Sequence, residues 1–280
     1  MSLAGILRRE LAERAQEYAC ARSLPHSLSY GEAPMVCFAP CEKDVRHGNF
    51  LDGSYRAIQA NPEWKRRLAK VHTQGRRSLP QTNRGLWMEL DSCASSDALL
   101  MNVFCYPGMQ RNRQLATLLG TESDAVPIFG YRARVPLANG RFDRTEVDLR
   151  WGNVLVEAKL TETDFQVADK RTLAGYRDFA EVFNGEQLPQ TESRYLSYQL
   201  LRNVLAAYAL ECAFCVLVDS RRPDLTDAWY AVMRCVKPIK LRTQLRILTW
   251  QEVAHSARPK VREFLSIKYG IGDRPKHSRR

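Results

Sequence analysis

Hydrophobic residues recur at helical spacing near the start of the chain, and charged residues fill the positions between them. This pattern predicts an amphipathic helix over 3–19. The stretch that follows contains Pro25, Pro34 and Pro40 and is predicted to be loop. A second, strongly basic helix is predicted over 64–72, and a polar linker over 78–84 ends this part of the chain.

After the linker the pattern changes, because short apolar segments with strand periodicity alternate with amphipathic segments. The predicted elements are helices over 98–104 and 113–119, strands over 128–136, 145–151 and 154–160, helices over 172–183 and 195–210, a strand over 213–218, and C-terminal elements over 225–236, 245–249 and 259–269. This order predicts an α/β fold with a mixed sheet flanked by helices. We expect an N-terminal helical, basic extension (1–84), a core (85–220) and a C-terminal elaboration packed on the core (221–280).

Charge adds a candidate partner. The 280 residues include 42 Lys+Arg and 31 Asp+Glu, which gives a formal net charge of +11. Such an excess favours binding to a polyanion such as nucleic acid, although an ordinary basic surface is the alternative. Clustering favours nucleic acid, and Arg66, Arg67 and Lys70 of the second helix are the predicted contacts, with a second basic cluster in the tail over 274–280.

No segment is long and apolar enough to predict a membrane span. The longest apolar runs have about seven residues, whereas a spanning helix needs about 20. The first apolar stretch ends at Arg8 and is too short for a signal peptide. We therefore expect a cytoplasmic protein without a membrane partner.

The eight cysteines are expected to be reduced thiols in that compartment. Two spacings resemble metal sites, namely Cys37 with Cys41 and His47, and Cys212 with Cys215. Neither set repeats as a paired zinc knuckle. Core or loop thiols are therefore favoured over zinc ligands.

Candidate chemistry lies in the two strands over 145–151 and 154–160. If Gly152 and Asn153 form a two-residue hairpin loop, Asp148 lies opposite Glu157, and Glu146 lies opposite Lys159. Strand alternation then places these four charged residues on one face. The other face is wholly apolar and is predicted to face the core.

Two facing carboxylates repel each other. When no cation is bound, replacing either carboxylate with an uncharged side chain is therefore expected to leave stability unchanged or to raise it. Hard divalent cations prefer oxygen ligands, and Mg²⁺ often uses one or two carboxylates together with substrate phosphate. Lys159 lies two residues beyond Glu157, within reach of a water molecule or a phosphate oxygen. The segment thus has the parts for metal-assisted phosphodiester hydrolysis, and a solvated, charged hairpin face is the alternative.

The segment Asp148, eight residues, then Glu157-Ala158-Lys159 resembles the signature of the PD-(D/E)xK nuclease superfamily, which has the restriction-endonuclease-like fold. The α-β-β-β-α-β core of that fold is similar to the element order predicted over about 90–220. Three motifs also resemble a bacterial branch of restriction endonucleases: 157–162, 95–98 together with 102–104, and 198–203. One departure from the signature is Val147, which replaces its proline.

The resemblance implies a role for each matching residue. Asp148, Glu157 and the Ala158 carbonyl would bind Mg²⁺, with Mn²⁺ able to substitute, and Lys159 would orient or activate the attacking water and offset charge in the transition state. Gln199 matches a glutamine that approaches the active site in related exonucleases. Many members add another carboxylate, for which four candidates remain open: Glu89, Asp91, Asp97 and Glu146. Arg202, on the same helix as Gln199, is a further predicted nucleic-acid contact.

The sequence therefore predicts a Mg²⁺-dependent DNA endonuclease that leaves 5′-phosphate products, in restriction or another form of DNA processing. Two alternatives remain open, a catalytically inactive nucleic-acid-binding protein of the same fold and an RNA nuclease. Exonuclease action is not excluded. Cleavage of both DNA strands would favour a homodimer.

Overall fold

The computed structural model describes residues 2–29, 34–41, 45–71, 87–122 and 124–272. Contacts divide the chain into two compact units, one formed from the described parts of Met1–Leu115 and Trp250–Arg280, the other from Ala116–Thr249. This division differs from the three consecutive segments that the sequence suggests, since the C-terminal helices group with the N-terminal ones. Among the helices of the described ranges, none is long and apolar enough to cross a membrane.

The first unit begins with a run of helices and one small hairpin. Its elements before the sheet are α1 (Leu3–Ala21), β1 (His26–Leu28), β2 (Val36–Phe38), α2 (Asp52–Ala60), α3 (Pro62–Arg67), a 3₁₀ turn (Glu89–Asp91), α4 (Ser96–Phe104) and α5 (Arg113–Leu119), which ends in the second unit. The predicted first helix is confirmed, and the Ser2 side chain caps it by accepting from the Gly5 amide.

Two predictions for the first unit need correction. The proline-containing stretch was predicted to be loop, but β1 and β2 pair in it. The segment before the basic helix contains α2, which hydrophobic periodicity misses because its buried face includes Ser54, whose hydroxyl donates to the Asn102 carbonyl. The basic helix α3 ends at Arg67, and His72 lies outside the described residues.

The second unit contains the sheet. Its elements are β3 (Ile128–Arg132), β4 (Val135–Pro136), β5 (Phe142–Asp143), β6 (Glu146–Trp151), β7 (Val154–Ala158), β8 (Val167–Asp169), α6 (Lys170–Ala174), α7 (Phe179–Val182), β9 (Arg194–Leu196), α8 (Tyr198–Ala209), β10 (Ala213–Val218), α9 (Pro223–Met233), α10 (Ile239–Arg242) and β11 (Leu245–Thr249). Five strands form one sheet in the order β11-β10-β7-β6-β3. The strands β3, β6 and β7 are antiparallel neighbours, whereas β10 runs parallel to both β7 and β11.

This topology confirms the predicted mixed α/β sheet, with three antiparallel strands followed by a helix and a parallel fourth strand. Every residue of β7 and β10 is buried, as expected for central strands covered on both faces. The helices α8 and α9 pack on the sheet. The face of α8 that contributes Leu200, Leu201 and Val204 forms a core with Leu155 of β7 and Phe214 of β10.

Three predicted elements of the second unit differ in extent. The strand over 128–136 divides into β3 and β4, and β4 pairs with β5 instead of the main sheet. The helix over 172–183 becomes the short helices α6 and α7, since the chain turns after Gly175. The helix over 195–210 begins only at Tyr198, because the preceding residues pair as β9 with β8 and Ser197 adopts a left-handed conformation.

Two further helices, α11 (Trp250–Ser256) and α12 (Pro259–Tyr269), return the chain to the first unit, where α12 packs against α1. Lys268 of α12 is 1% exposed and donates to the Asn49 carbonyl at 2.9 Å. Its ammonium also lies 4.7 Å from the centre of the Phe38 ring. This buried lysine therefore holds the C-terminal helix to the loop before α2.

Candidate active site

The hairpin of β6 and β7 has the register that the sequence predicts. Trp151 pairs with Val154, and Leu149 pairs with Val156, so Gly152 and Asn153 form the two-residue loop. Gly152 has a φ of +56°, in the left-handed region that glycine adopts without strain. The tight loop fixes which side chains lie across from each other further along the two strands.

Asp148 lies one residue before Leu149, the outermost paired residue of this register, on the half-buried face of β6. Burial alternates along β6, with Val147, Leu149 and Trp151 buried and the residues between them half-buried. The Asp148 Oδ2 atom accepts a hydrogen bond of 2.8 Å from the Ala158 amide. This contact places the Asp148 carboxylate at the end of β7, beside Glu157.

Glu157 and Lys159 form a buried ion pair. Glu157 is 2% exposed and Lys159 is 5% exposed, and Lys159 Nζ donates to Glu157 Oε1 at 2.9 Å. Burial on its own lowers the pKa of Lys159, but the negative charges of Glu157, Glu162 and Asp148 outweigh it and raise that pKa above the usual value. The β7 side of the polar face is therefore enclosed by protein, unlike a solvated charged strand, while Asp148 on β6 remains half-buried.

The loop after β7 completes the surroundings of Lys159. The ring of Phe165 lies 5.6 Å from Lys159 Nζ, and Glu162 Oε2 accepts from the Leu160 amide at 2.7 Å. Arg222, which is fully buried, donates to the carbonyls of Glu162 at 2.8 Å and Thr163 at 3.2 Å. Nothing in the sequence pattern pointed to Arg222, because its partners are backbone atoms about 60 residues away in the chain.

The helix α8 supplies the second wall of the site. Asn203 is fully buried, and its Nδ2 donates to Glu157 Oε2 at 2.7 Å. Asn203 was not among the site residues predicted from the sequence. Both oxygens of the Glu157 carboxylate are thus held, one by Lys159 and the other by Asn203.

Gln199 lies one helical turn before Asn203, on the same face of α8. Its backbone amide donates to the Phe165 carbonyl at 3.0 Å. Its side-chain Oε1 is buried and has no hydrogen-bond partner among the described residues. A buried acceptor of this kind is costly unless a ligand or water satisfies it, which supports the predicted placement of Gln199 at the site.

Arg202 is 5% exposed and makes its contacts inside the protein. It donates to the Glu146 carbonyl at 2.9 Å and to Asn203 Oδ1 at 2.8 Å. Through these bonds it orients Asn203 and ties α8 to β6. We therefore interpret Arg202 as a positioning residue and leave it out of the proposed nucleic-acid contacts.

The basic cluster in the first unit is also largely paired. Arg67 and Lys70 donate to Asp97 Oδ2 at 2.8 and 2.6 Å, and Lys70 also donates to Glu89 at 2.8 Å. Arg66 pairs with Glu63, and both of these side chains are 73% exposed. Of the three predicted phosphate contacts in this cluster, Arg66 is therefore the one whose charge is accessible. The basic residues of the linker and the C-terminal tail lie outside the described residues.

The four candidates for an additional carboxylate have different surroundings. In the first unit Asp97 and Glu89 are paired with cations, while Asp91 lies 3.0 Å from His47 Nε2 and accepts from the Met88 amide. Glu146 lies on β6, on the face that carries Asp148. Of the four, Glu146 is the one that shares a strand with the site.

The donor set fits a hard divalent cation. The structure brings together the carboxylates of Asp148 and Glu157 at the end of β7, where the Ala158 carbonyl is a third oxygen. No group of three or more His, Cys, Asp and Glu side chains within the described ranges forms a metal-binding cluster. Mg²⁺ does not require one, since it retains several waters and binds through one or two carboxylates plus substrate phosphate.

The cysteines are free thiols. Cys37, Cys212 and Cys215 are buried, and burial raises the pKa of Cys37 to about 12. His47, which shares a metal-like spacing with Cys37, instead lies against Asp91. These contacts agree with the interpretation of the thiols as core and loop residues.

The structure reverses one stability expectation. Glu157→Gln was expected to leave stability unchanged or to raise it, but it removes the counter-charge of a buried lysine. We now expect the free energy of unfolding to fall by about 3 kcal/mol, the usual cost of breaking a buried ion pair. Asp148→Asn should change it by less than about 1 kcal/mol, since an amide oxygen can still accept from Ala158. Urea denaturation of both variants measures the difference, and equal stabilities would contradict the ion pair.

Comparisons with known proteins place the chain in a family. A family model described as restriction endonuclease associating with ARP matches residues 26–270, which include all of the second unit, most of the first and every residue of the site. No curated protein and no solved structure matches the chain. The matched range together with the mixed sheet and its flanking helices gives a restriction-endonuclease-like fold. The chain belongs to the family of restriction endonucleases associating with ARP, and its general role is that of a nuclease.

Proposed function

We propose that this protein is a metal-dependent DNA endonuclease that hydrolyses phosphodiester bonds to 5′-phosphate products. The observation that carries the proposal is the meeting of Asp148, Glu157 and Lys159 at the end of β7, with Lys159 Nζ 2.9 Å from the Glu157 carboxylate. The match to a restriction endonuclease family supports DNA as the substrate. A role in restriction or another form of DNA processing follows from the same match.

Asp148, Glu157 and the Ala158 carbonyl would hold Mg²⁺, with Mn²⁺ able to substitute. The bound ion would supply positive charge that polarises the phosphoryl group and makes water easier to deprotonate. The Ala158 amide fixes the Asp148 carboxylate, and Asn203 fixes that of Glu157. These two contacts orient the ligands before the ion arrives, which lowers the cost of assembling the site.

Lys159 contributes a positive charge beside the scissile phosphate. Its ammonium is held between Glu157 and the face of the Phe165 ring. From this position it offsets the negative charge that develops on the phosphoryl oxygens and orients the attacking water. Gln199 Oε1, the buried acceptor without a partner among the described residues, would accept from that water.

Cleavage of both strands by one site per chain would require a second copy, so we expect a homodimer on DNA. The experiment that tests the function uses supercoiled plasmid, linear DNA and a folded RNA, each with Mg²⁺ and with EDTA. We expect nicking or linearisation of plasmid with Mg²⁺ and none with EDTA. Binding without cleavage would indicate an inactive module, and cleavage of RNA alone would indicate an RNA nuclease.

The basic cluster of the first unit gives a separate prediction for DNA affinity. Arg66→Ala should weaken DNA binding and reduce the dependence of log K on log salt by about 0.9 for one lost phosphate contact. Lys70→Ala should leave Asp97 and Glu89 with one cation fewer and mainly reduce stability. Fluorescence anisotropy at several salt concentrations and urea denaturation measure the two effects. An unchanged salt slope for Arg66→Ala would remove this residue from the interface.

A further inference from the structure

A cleft of about 420 Å³ in the second unit lies beside the start of α8 and has no part in the chemistry described above. Tyr176, Tyr198 and Asp143 line it together with Asn139 and Thr145. The volume falls in the range of small-molecule sites. None of the described side chains that line it is lysine or arginine, so it is unsuited to a phosphate group.

The walls of the cleft are held in place by backbone pairing. The amide of Ala138 donates to the Gly175 carbonyl at 2.9 Å, and that of Arg177 donates to the Pro136 carbonyl at 3.1 Å. A ligand would therefore enter a largely preformed site, which reduces the entropy lost on binding.

Hydrogen bonds in the cleft fix the direction of both phenol protons. Asp143 Oδ1 accepts from the amide and the hydroxyl of Thr145, and Asp143 Oδ2 accepts from the Tyr176 hydroxyl at 2.5 Å. Because the Tyr176 proton goes to Asp143, the Tyr176 oxygen accepts from the Tyr198 hydroxyl, 2.9 Å away. The Tyr198 oxygen is then left as a hydrogen-bond acceptor for a ligand.

A donor lies at the rim of the same cleft. Asn139 is exposed, and its Oδ1 accepts from the Arg141 amide at 3.0 Å, so the group that it offers to a ligand is the amide nitrogen Nδ2. The cleft thus presents one acceptor, one donor and an aromatic ring. An amino group next to a ring nitrogen, as in adenine and cytosine, matches this pattern. On their Watson–Crick edges, guanine and thymine present a carbonyl next to a ring N–H, which is the reverse.

The position of the cleft relates it to the active site. Tyr198 precedes Gln199 on α8 and lies five residues before Asn203, a rise of about 7.5 Å along the helix axis. Phosphates along one DNA strand are about 3.4 Å apart in the axial direction. Because five residues also turn the helix by about 140°, the rise alone does not give the separation. Thr145, which lines the cleft, lies three residues before Asp148, at most about 10 Å along the chain, so the cleft is within about three nucleotides of a phosphate at the metal site.

We propose that this cleft, formed by Asp143, Tyr176, Tyr198 and Asn139, binds an adenine or cytosine base unstacked from the strand beside the scissile phosphate. The proposal rests on the nuclease function, since that function brings DNA to α8. A base inside a duplex cannot enter such a site without leaving the stack, and single-stranded or distorted DNA loses the least by doing so. The Tyr198 ring would stack on the base, and its oxygen would accept from the amino group.

The test uses free adenosine, cytidine, guanosine and thymidine with the full-length protein, without a divalent cation, and measures binding by saturation-transfer NMR. We expect adenosine and cytidine to bind at least about fivefold more tightly than the other two, and Tyr198→Phe to remove that preference. Tyr208→Phe is the matched control, because Tyr208 lies on the same helix and its hydroxyl bonds Glu181 at the surface, outside the cleft. It should bind as the wild type does.

Equal binding of the four nucleosides, an unchanged preference in Tyr198→Phe, or displacement of adenosine by inorganic phosphate would each overturn the base site. The readout needs neither metal nor cleavage. Selective nucleoside binding by a protein that cleaves no nucleic acid would therefore support the cleft and overturn the nuclease. DNA cleavage by a protein that binds the four nucleosides equally would support the nuclease function and overturn the base site.

Discussion

Asp148→Asn is expected to reduce DNA cleavage by at least about a thousandfold, the loss that corresponds to several kcal/mol of transition-state charge stabilisation. The variant keeps the size of the side chain and an oxygen that can accept from the Ala158 amide, so the hairpin should remain intact. The variant lacks the negative charge with which Asp148 would bind the metal ion. Initial rates of plasmid nicking with Mg²⁺ measure the effect.

The matched control is Asp169→Asn, the same substitution on an exposed strand of the same unit, where the carboxylate pairs with Arg194. It should cleave at the wild-type rate. Nicking by Asp148→Asn at a rate within a few fold of the wild type would remove Asp148 from the active site. Circular dichroism and a melting curve for each variant separate loss of chemistry from loss of fold.

Arg222→Met is expected to lower the free energy of unfolding by about 3 kcal/mol or more. Arg222 is fully buried and donates to the carbonyls of Glu162 and Thr163, as well as to Asp224. Methionine fills similar space but removes several hydrogen bonds made by a buried guanidinium, each of which contributes about 1.5–3 kcal/mol. The loop after Lys159 should also loosen, so cleavage should fall along with stability.

The midpoint of urea denaturation measures this effect, and Arg177→Met is the control. Arg177 is 62% exposed as a side chain and pairs with Asp178 on the surface, where an ion pair adds little to stability. Equal midpoints for the two variants would show that the Arg222 contacts do not hold the loop.

The hairpin of the site was predictable from the sequence because its determinants are local. Strand alternation and a Gly-Asn loop fix the register, and the register fixes the neighbours of Asp148 and Glu157. The order of strands and helices in the sheet followed from the same kind of periodicity. The resemblance to a nuclease signature then gave these residues their expected roles.

The other parts of the site depend on contacts between segments that are distant in the chain, and hydrophobic periodicity does not encode such contacts. Asn203 bonds Glu157 across 46 positions of the chain, and Arg67 bonds Asp97 across 30. A basic residue in a basic stretch looks available to DNA until its partner is known, so the sequence did not distinguish Arg66 from Arg67. Likewise, the sequence does not show that α8 buries Glu157, because that contact is a property of packing. This burial is the reason why Glu157→Gln is now expected to lower stability.

The most direct test of the central claim is calorimetric titration of Mn²⁺ into four proteins: wild type, Asp148→Asn, Glu157→Gln and Lys159→Met. Lysine is not a metal ligand, whereas both carboxylates are expected to be. We expect the wild type and Lys159→Met to bind Mn²⁺ and the two carboxylate variants to bind it at least about tenfold more weakly. Unchanged Mn²⁺ affinity in Asp148→Asn and Glu157→Gln, or no binding by the wild type, would contradict a metal-dependent active site at the end of β7.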